Sequence, residues 1–207
     1  MIPRDEFKRA TKYGDMADAL VQLDTDFGAM LDFLEELGVA DDTIVVFSGD
    51  NGAEDDRDYR GNSGFFNGSY FTGSEGALRT PAIVRYPGHV PGGQQTDDPV
   101  HITDMFTTLV RWAGAEVPDD RTIDGKDQCD FFEGKAETSA REGFLFWNGP
   151  TLYGVKWQHY KLLFRLQTYM FEPVQTLATP WVINLKAGSQ GADALSAIPN
   201  VGGRTHQ

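Results

Sequence analysis

Apolar side chains at Met16, Leu20, Leu23, Phe27, Met30 and Leu34 recur at intervals of three and four residues. That spacing lines one stripe of a helix and predicts a helical segment from about Tyr13 to Leu37. Asp15, Asp18, Asp24, Asp26 and Asp32 fall mostly off the stripe and are expected on a solvated face. Gly38 is a natural stop, and Asp41-Asp42 turns the chain into Thr43-Ile-Val-Val-Phe-Ser48. This continuous run of strand formers predicts a strand buried on both faces. A helix running into such a strand is the mark of an α/β architecture. The polar Ser48-Gly-Asp-Asn-Gly52 then places a turn at the strand's carboxyl end, where open α/β sheets bind their ligands.

Further along, Glu54 to Gly64 is polar, glycine-spaced and too irregular for a regular element. Glu75 and Arg79 are four apart, which pairs them if a short helical turn forms, and both are expected to be structural. Pro81 ends that turn and starts the strand Ala82 to Tyr86, closed by Pro87-Gly88. Thr103 to Ala113 reads as a helix with Asp104 in its first turn and Gly114 as its stop; His101 before it is expected to cap or pack. Strand-like runs follow at Gly143–Trp147, Leu152–Trp157 and Tyr160–Leu166, the last two forming a hairpin across Gln158-His159. Trp147 and Trp157 are expected to pack within this sheet, with a carbohydrate platform as the alternative. Beyond Lys186 the composition predicts a weakly held tail.

Composition narrows the function classes. A net charge of -13 with a pI near 4.6 argues against nucleic-acid binding as the main activity, because a phosphate backbone would be repelled. No run of eighteen apolar residues exists and the first residues are charged, so neither a transmembrane span nor a signal peptide is predicted. The single cysteine, Cys129, excludes an internal disulfide and lies in Gln-Cys-Asp-Phe, with no proline or arginine to organise it as a nucleophile. It is expected to be a small packed residue.

The candidate chemistry sits at the turn. Asp50 offers a carboxylate and Asn51 an amide oxygen from adjacent positions, the kind of ligand that a hard divalent cation takes. An Asp-Asn-Gly turn without any ligand explains the same residues, and both readings stand on the letters alone.

Several blocks in one order carry a resemblance: the helix end Leu31-Asp-Phe-Leu-Glu-Glu-Leu-Gly38, the strand and turn Thr43 to Ala53, and Glu75-Gly-Ala-Leu-Arg-Thr-Pro-Ala-Ile-Val-Arg-Tyr-Pro-Gly88. Together they resemble the carboxyl-terminal part of the sulfatase family, within the alkaline phosphatase superfamily. The resemblance implies part of an alkaline-phosphatase-like α/β sandwich over residues 1–125, lacking its amino-terminal half. It also implies a small antiparallel-sheet subdomain over 126–190, and the composition beyond it predicts a flexible tail over 191–207. In that family the Asp-Asn pair binds the active-site cation, which carries Asp50 and Asn51 over as ligands of Ca²⁺ or Mg²⁺. The family attacks sulfate esters with a formylglycine made from Cys or Ser in a Cys/Ser-x-Pro-x-Arg motif. None of the ten prolines here has Cys or Ser two residues before it, so no catalytic residue is assigned to this chain.

The implied function is therefore that of a sulfatase fragment. Its full-length parent would hydrolyse the sulfate ester of a small molecule or glycan, and this chain alone would be inactive. Formylglycine and further metal aspartates would belong to the missing half. Tyr70 stands where many sulfatases have a sulfate-binding lysine, which slightly favours a phosphoester or phosphonate hydrolase of the same superfamily. A non-catalytic binding protein is the third reading. No nucleic-acid or membrane partner is expected, self-association through an uncovered apolar edge is, and periplasmic or secreted placement is inferred for the parent alone.

Overall fold

The computed structural model describes residues 2–56, 59–64, 66–167 and 169–186. The tail expected over 191–207 lies outside them. The described residues form two compact units, one drawn from Met1–Phe47 with Ile83–Gly92, the other from Ser48–Ala82 with Gly93–Gln207.

The first unit is built on helix α1 (Asp15–Glu36). Met16, Phe27 and Leu34 of the expected stripe are half-buried, but Leu20, Leu23 and Met30 are exposed. Among the described residues the helix has few partners: short 3-10 turns at Asp5–Phe7 and Ala40–Asp42 touch it, and Phe27 packs on Phe47 with ring centroids 4.9 Å apart. Asp18 departs from the expected solvated face. It is buried and accepts bonds from the backbone of Arg9 and Thr11 and from the Thr11 hydroxyl, each at 2.7 Å. These bonds, the Thr11 hydroxyl foremost, hold its carboxyl below the ordinary range despite burial.

Strand β1 (Val45–Ser48) pairs with β4 (Ala82–Arg85). The expected burial on both faces is corrected here: Val45 is buried while Val46 is exposed. A two-stranded pairing covers only part of a strand's surface, so one face stays open among the described residues. Arg85 anchors the pair, donating to the Ala40 carbonyl at 2.9 Å and to Glu35 at 3.1 Å.

In the second unit, the irregular loop after β1 contains a minimal antiparallel pair, β2 (Asp55–Asp56) and β3 (Tyr59–Arg60), and leads to the single turn α2 (Glu75–Leu78). Helix α3 (Ile102–Trp112) follows the sequence expectation closely, with Gly114 past its end at φ 73°. His101 is its N-cap. The ring nitrogen Nδ1 accepts from the Thr103 backbone at 3.3 Å, and Asp104 returns the favour by accepting from the His101 backbone at 2.8 Å.

The antiparallel sheet expected near the carboxyl terminus has four strands in sequential order: β5 (Gly143–Asn148), β6 (Thr151–Trp157), β7 (Tyr160–Leu166) and β8 (Gln175–Asn184). A two-residue turn at Gln158-His159 joins β6 to β7, with Gln158 at φ 52°. Strand β8 carries Pro180 within it, tolerated because it lies at the sheet's edge. One face holds the core, Phe146, Tyr153, Leu163, Ile183 and Leu185, against which Leu78 of α2 packs. The tryptophans depart from expectation: neither is packed away, with Trp147 56% and Trp157 52% exposed. Leu145 and Val182 are exposed as well, so this sheet has an apolar core on one side and open apolar side chains elsewhere.

In the first turn of α3, and close to the short helix α4 (Cys129–Phe132), lies a fully buried carboxylate. Asp104 accepts from Arg141 Nε at 2.7 Å, from the Lys126 backbone at 2.7 Å and from Gln128 Nε2 at 3.3 Å. Burial would raise its pKa, but the hydrogen bond from Arg141 and the backbone donors outweigh that and lower it. A carboxyl whose native pKa is depressed stabilises the fold above its ordinary value near 3.8, and this contribution is lost as pH falls through the native value. Asp104→Asn should cost about 3–5 kcal/mol at pH 7 in urea denaturation, with a gap from the wild type that narrows as pH drops below 3.8. A constant gap across that range would show that the charge is not what holds this junction.

Candidate metal centre and its buried support

Asp50 and Asn51 lie in the loop that leaves β1. The Gly49 amide donates to the Pro81 carbonyl at 3.3 Å, and the Gly52 amide donates to the Ala77 carbonyl of α2 at 2.8 Å, so the pair is held at both ends. Gly52 is required by crowding: a Cβ there would lie 1.8 Å from the Gly76 carbonyl oxygen. Asn51 Nδ2 donates to the Gly52 carbonyl at 2.8 Å, which fixes the amide and leaves its oxygen without a hydrogen-bond partner among the described residues. The Asp50 carboxylate is exposed and likewise has no hydrogen bond or ion pair there. An unpaired carboxylate and an unpaired amide oxygen on a clamped loop are donors of the kind a hard cation takes. They are two candidate donors: among the described residues no group of three or more His, Cys, Asp or Glu could hold a metal.

The support under this loop is α2. The Gly76 amide donates to Asn67 at 2.8 Å and its carbonyl accepts from the Ser63 hydroxyl at 2.7 Å, while a Cβ on Gly76 would meet the Gly68 carbonyl at 2.3 Å. Tyr70 is tied to the same layer, its amide donating to the Ala53 carbonyl at 3.0 Å and its ring meeting Phe71 edge-on.

Glu75 opens α2 and is fully buried. It accepts from Arg79 Nε at 2.7 Å, the pairing its spacing predicts, and also from Lys156 Nζ at 2.8 Å and Lys161 Nζ at 3.1 Å. Burial alone would raise its pKa, but the two ammonium groups and the bonds from Lys156 and Arg79 bring it down to about 2. Lys161, itself fully buried, also lies 5.1 Å from the centre of the Phe146 ring. These lysines escaped the sequence reading, although a signal was present. The Gln158-His159 turn sets Lys156 directly opposite Lys161, and like charges so placed repel unless an acid lies between them.

Cys129 behaves as the packed residue expected. Its thiol reaches the Thr108 carbonyl at 3.7 Å and is pushed up to about 12 by burial and by the Asp127 carboxylate, which leaves no reactive thiolate near neutral pH.

Comparison with known proteins matches residues 4–115 to the Sulfatase family model and residues 61–176 to that of N-sulphoglucosamine sulphohydrolase, C-terminal. Human steryl-sulfatase is 31% identical over 174 residues, covering 81% of this chain and 30% of its own length. Mouse N-acetylgalactosamine-6-sulfatase is 35% identical over 160 residues, covering 75% of this chain and 30% of its own. Among solved structures, the PsFucS1 sulfatase from Pseudoalteromonas sp. superposes with a TM-score of 0.80 at 27% identity, over 88% of this chain and 39% of that one. A further structure, solved in complex with its substrate D-glucosamine-2-N,6-O-disulfate, shares the fold at a TM-score of 0.60 and 24% identity, over 84% of this chain and 34% of that one. The chain thus spans about a third of the length of the relatives it matches.

Replacing Glu75 by Gln leaves two lysines and an arginine facing a neutral amide. The expected cost is about 3–5 kcal/mol in denaturant unfolding at pH 7. The stability that Glu75 supplies is present above its ordinary value of 4.5 and lost as pH falls toward about 2, so the deficit of Glu75→Gln should shrink over that window. A variant as stable as the wild type at pH 7 would mean that the three cations hold their places without the carboxylate.

Proposed function

We propose that this chain, which belongs to the sulfatase family, forms part of a sulfate-ester hydrolase and presents Asp50 and Asn51 to a divalent cation, Ca²⁺ or Mg²⁺. The observation that carries the reading is the clamped loop with its unpaired carboxylate and amide oxygen, held by the Gly52 amide on the Ala77 carbonyl. When bound there, such a cation supplies Lewis-acid stabilisation of charge on the ester oxygens. The chain's own part is to hold the two ligands still. Gly49 and Gly52 pin the loop, Asn51 orients its oxygen by spending its amide group on the Gly52 carbonyl, and the Glu75 set fixes α2 beneath it.

A sulfated sugar is the substrate class we favour, since one relative is named for N-acetylgalactosamine 6-sulfate chemistry and a protein of the same fold was solved with a sulfated glucosamine. The nucleophile belonging to this chemistry is a formylglycine, for which this sequence holds no Cys/Ser-x-Pro-x-Arg motif. Losing one member of a catalytic unit costs orders of magnitude. The chain expressed alone should therefore give no turnover of nitrophenyl sulfate above the buffer rate, checked on a preparation of verified intact mass.

The metal reading has its own test. With two protein ligands the chain alone should bind Ca²⁺ weakly, on the order of millimolar, and Asp50→Asn should weaken it roughly tenfold. Asp24→Asn, on the exposed side of α1, should leave binding unchanged. Calorimetric titration decides: equal effects of the two substitutions would reduce the Asp-Asn pair to a plain turn.

A further inference from the structure

Two irregularities shape one end of the four-stranded sheet. The register of β5 on β6 shifts between Phe146 and Trp147, and that of β7 on β8 shifts between Leu163 and Arg165. The extra residue of the first is Tyr153 on β6, and those of the second lie on β8 between Trp181 and Thr176, so β5 and β7 run on without an insertion. Here Phe146 and Leu163 remain in the core, while Trp147 emerges and Arg165 is half-buried. Between them opens a recess of about 520 Å³, lined by Trp147, Pro150, Thr151, Leu152, Phe164 and Arg165.

Its chemistry is specific. The indole of Trp147 offers a broad apolar face that is more than half open to solvent. Arg165 Nη1 donates to the Phe164 carbonyl at 3.2 Å, which holds the guanidinium against the strand and leaves the rest of its five-donor fork without a protein acceptor among the described residues. The Thr151 hydroxyl has no hydrogen-bond partner there either. No acidic side chain lines the recess, in a chain with 31 Asp and Glu against 18 Lys and Arg.

A purely apolar ligand would strip water from the guanidinium and give nothing back, which is costly. A bare inorganic anion would leave the indole and Leu152 unused. A pyranose ring that bears a sulfate or carboxylate uses every group: its C–H face stacks on the indole, its anion takes the guanidinium in a two-point contact, and a ring hydroxyl meets Thr151. We propose that the recess formed by Trp147, Thr151, Phe164 and Arg165 is a binding site for an anionic sugar. The site shares no residue with the Asp50-Asn51 loop, and it stands whether or not that loop serves hydrolysis.

The test is binding to the whole chain, read by calorimetry and Trp fluorescence, with a heparin-derived sulfated hexasaccharide, its desulfated counterpart, inorganic sulfate and a poly-glutamate peptide. The sulfated hexasaccharide should bind at least tenfold more tightly than each of the other three. Trp147→Ala should weaken it at least tenfold, and Arg165→Gln should erase the preference over the desulfated sugar. Trp157→Ala, exposed on the same sheet but outside the recess, should change nothing. Circular dichroism confirms that each variant is folded; should Trp147→Ala not be, Arg165→Gln and the charge-keeping Arg165→Lys decide the matter, the latter retaining part of the preference. Undiminished binding to the Arg165 variants, poly-glutamate or sulfate binding as tightly as the sugar, or no binding of the hexasaccharide at millimolar concentration would each overturn the proposal. Because no turnover is read, failure of the hydrolase reading leaves these outcomes untouched.

Discussion

A carboxylate with no access to water and three cations around it governs the second unit. Burying Glu75 unpaired would cost several kcal/mol, and so would burying Lys161. Each is tolerable only because the other is there. The hairpin that sets Lys156 opposite Lys161 would be pushed apart by its own charges without the acid that accepts from both. The partners lie 81 and 86 residues apart in the chain, so this contact forms only when α2 and the sheet have come together. From α2 the constraint passes by backbone alone: the Ala77 carbonyl takes the Gly52 amide, and Gly52 closes the loop that carries Asp50 and Asn51.

The same logic recurs around α3. Asp104 is fully buried, and Arg141, the Lys126 amide and the Gln128 side chain converge on it. In both places the acid lies in the first turn of a helical element, where the backbone already favours negative charge, and in both a cation comes from or just before the carboxyl-terminal sheet. Buried ion pairs contribute little net stability compared with an apolar replacement, yet leaving one partner alone is severe. They therefore act chiefly against wrong arrangements: a sheet docked out of place strands a lysine or an arginine in a dry interior.

What could be read from the sequence follows the range of each interaction. Local signals were legible: the spacing of α1, the His101 cap, the Glu75–Arg79 pair, the turn at Gln158-His159 and the strands that flank it. So were the Asp50 and Asn51 positions as adjacent oxygen donors. Contacts set by tertiary packing were not. Asp18 resembles its exposed neighbours on α1 until the preceding segment folds back to bond it. Val46 belongs to an apolar run that predicts double burial, but a strand buries only the faces its neighbours cover. Trp147 reads as a core residue by composition, but it alternates with buried Phe146 along β5 and falls on the face where Leu145 is open as well.

Charge ties these pieces to the chemistry. The net charge is -13, and the buried sets withdraw three cations, Lys156, Lys161 and Arg141, onto two carboxylates, Glu75 and Asp104. The remainder of the chain is thus more acidic than its composition suggests. At physiological salt such charge is felt over about 8 Å, enough to oppose an anionic ester at close approach. A protein of this balance can receive a sulfate only where the sign is locally reversed. In the two readings proposed above, the Asp50-Asn51 loop does so by holding a divalent cation and the Trp147 recess by the guanidinium of Arg165. Both are positions where the fold leaves polar groups unpaired after fastening everything beneath them.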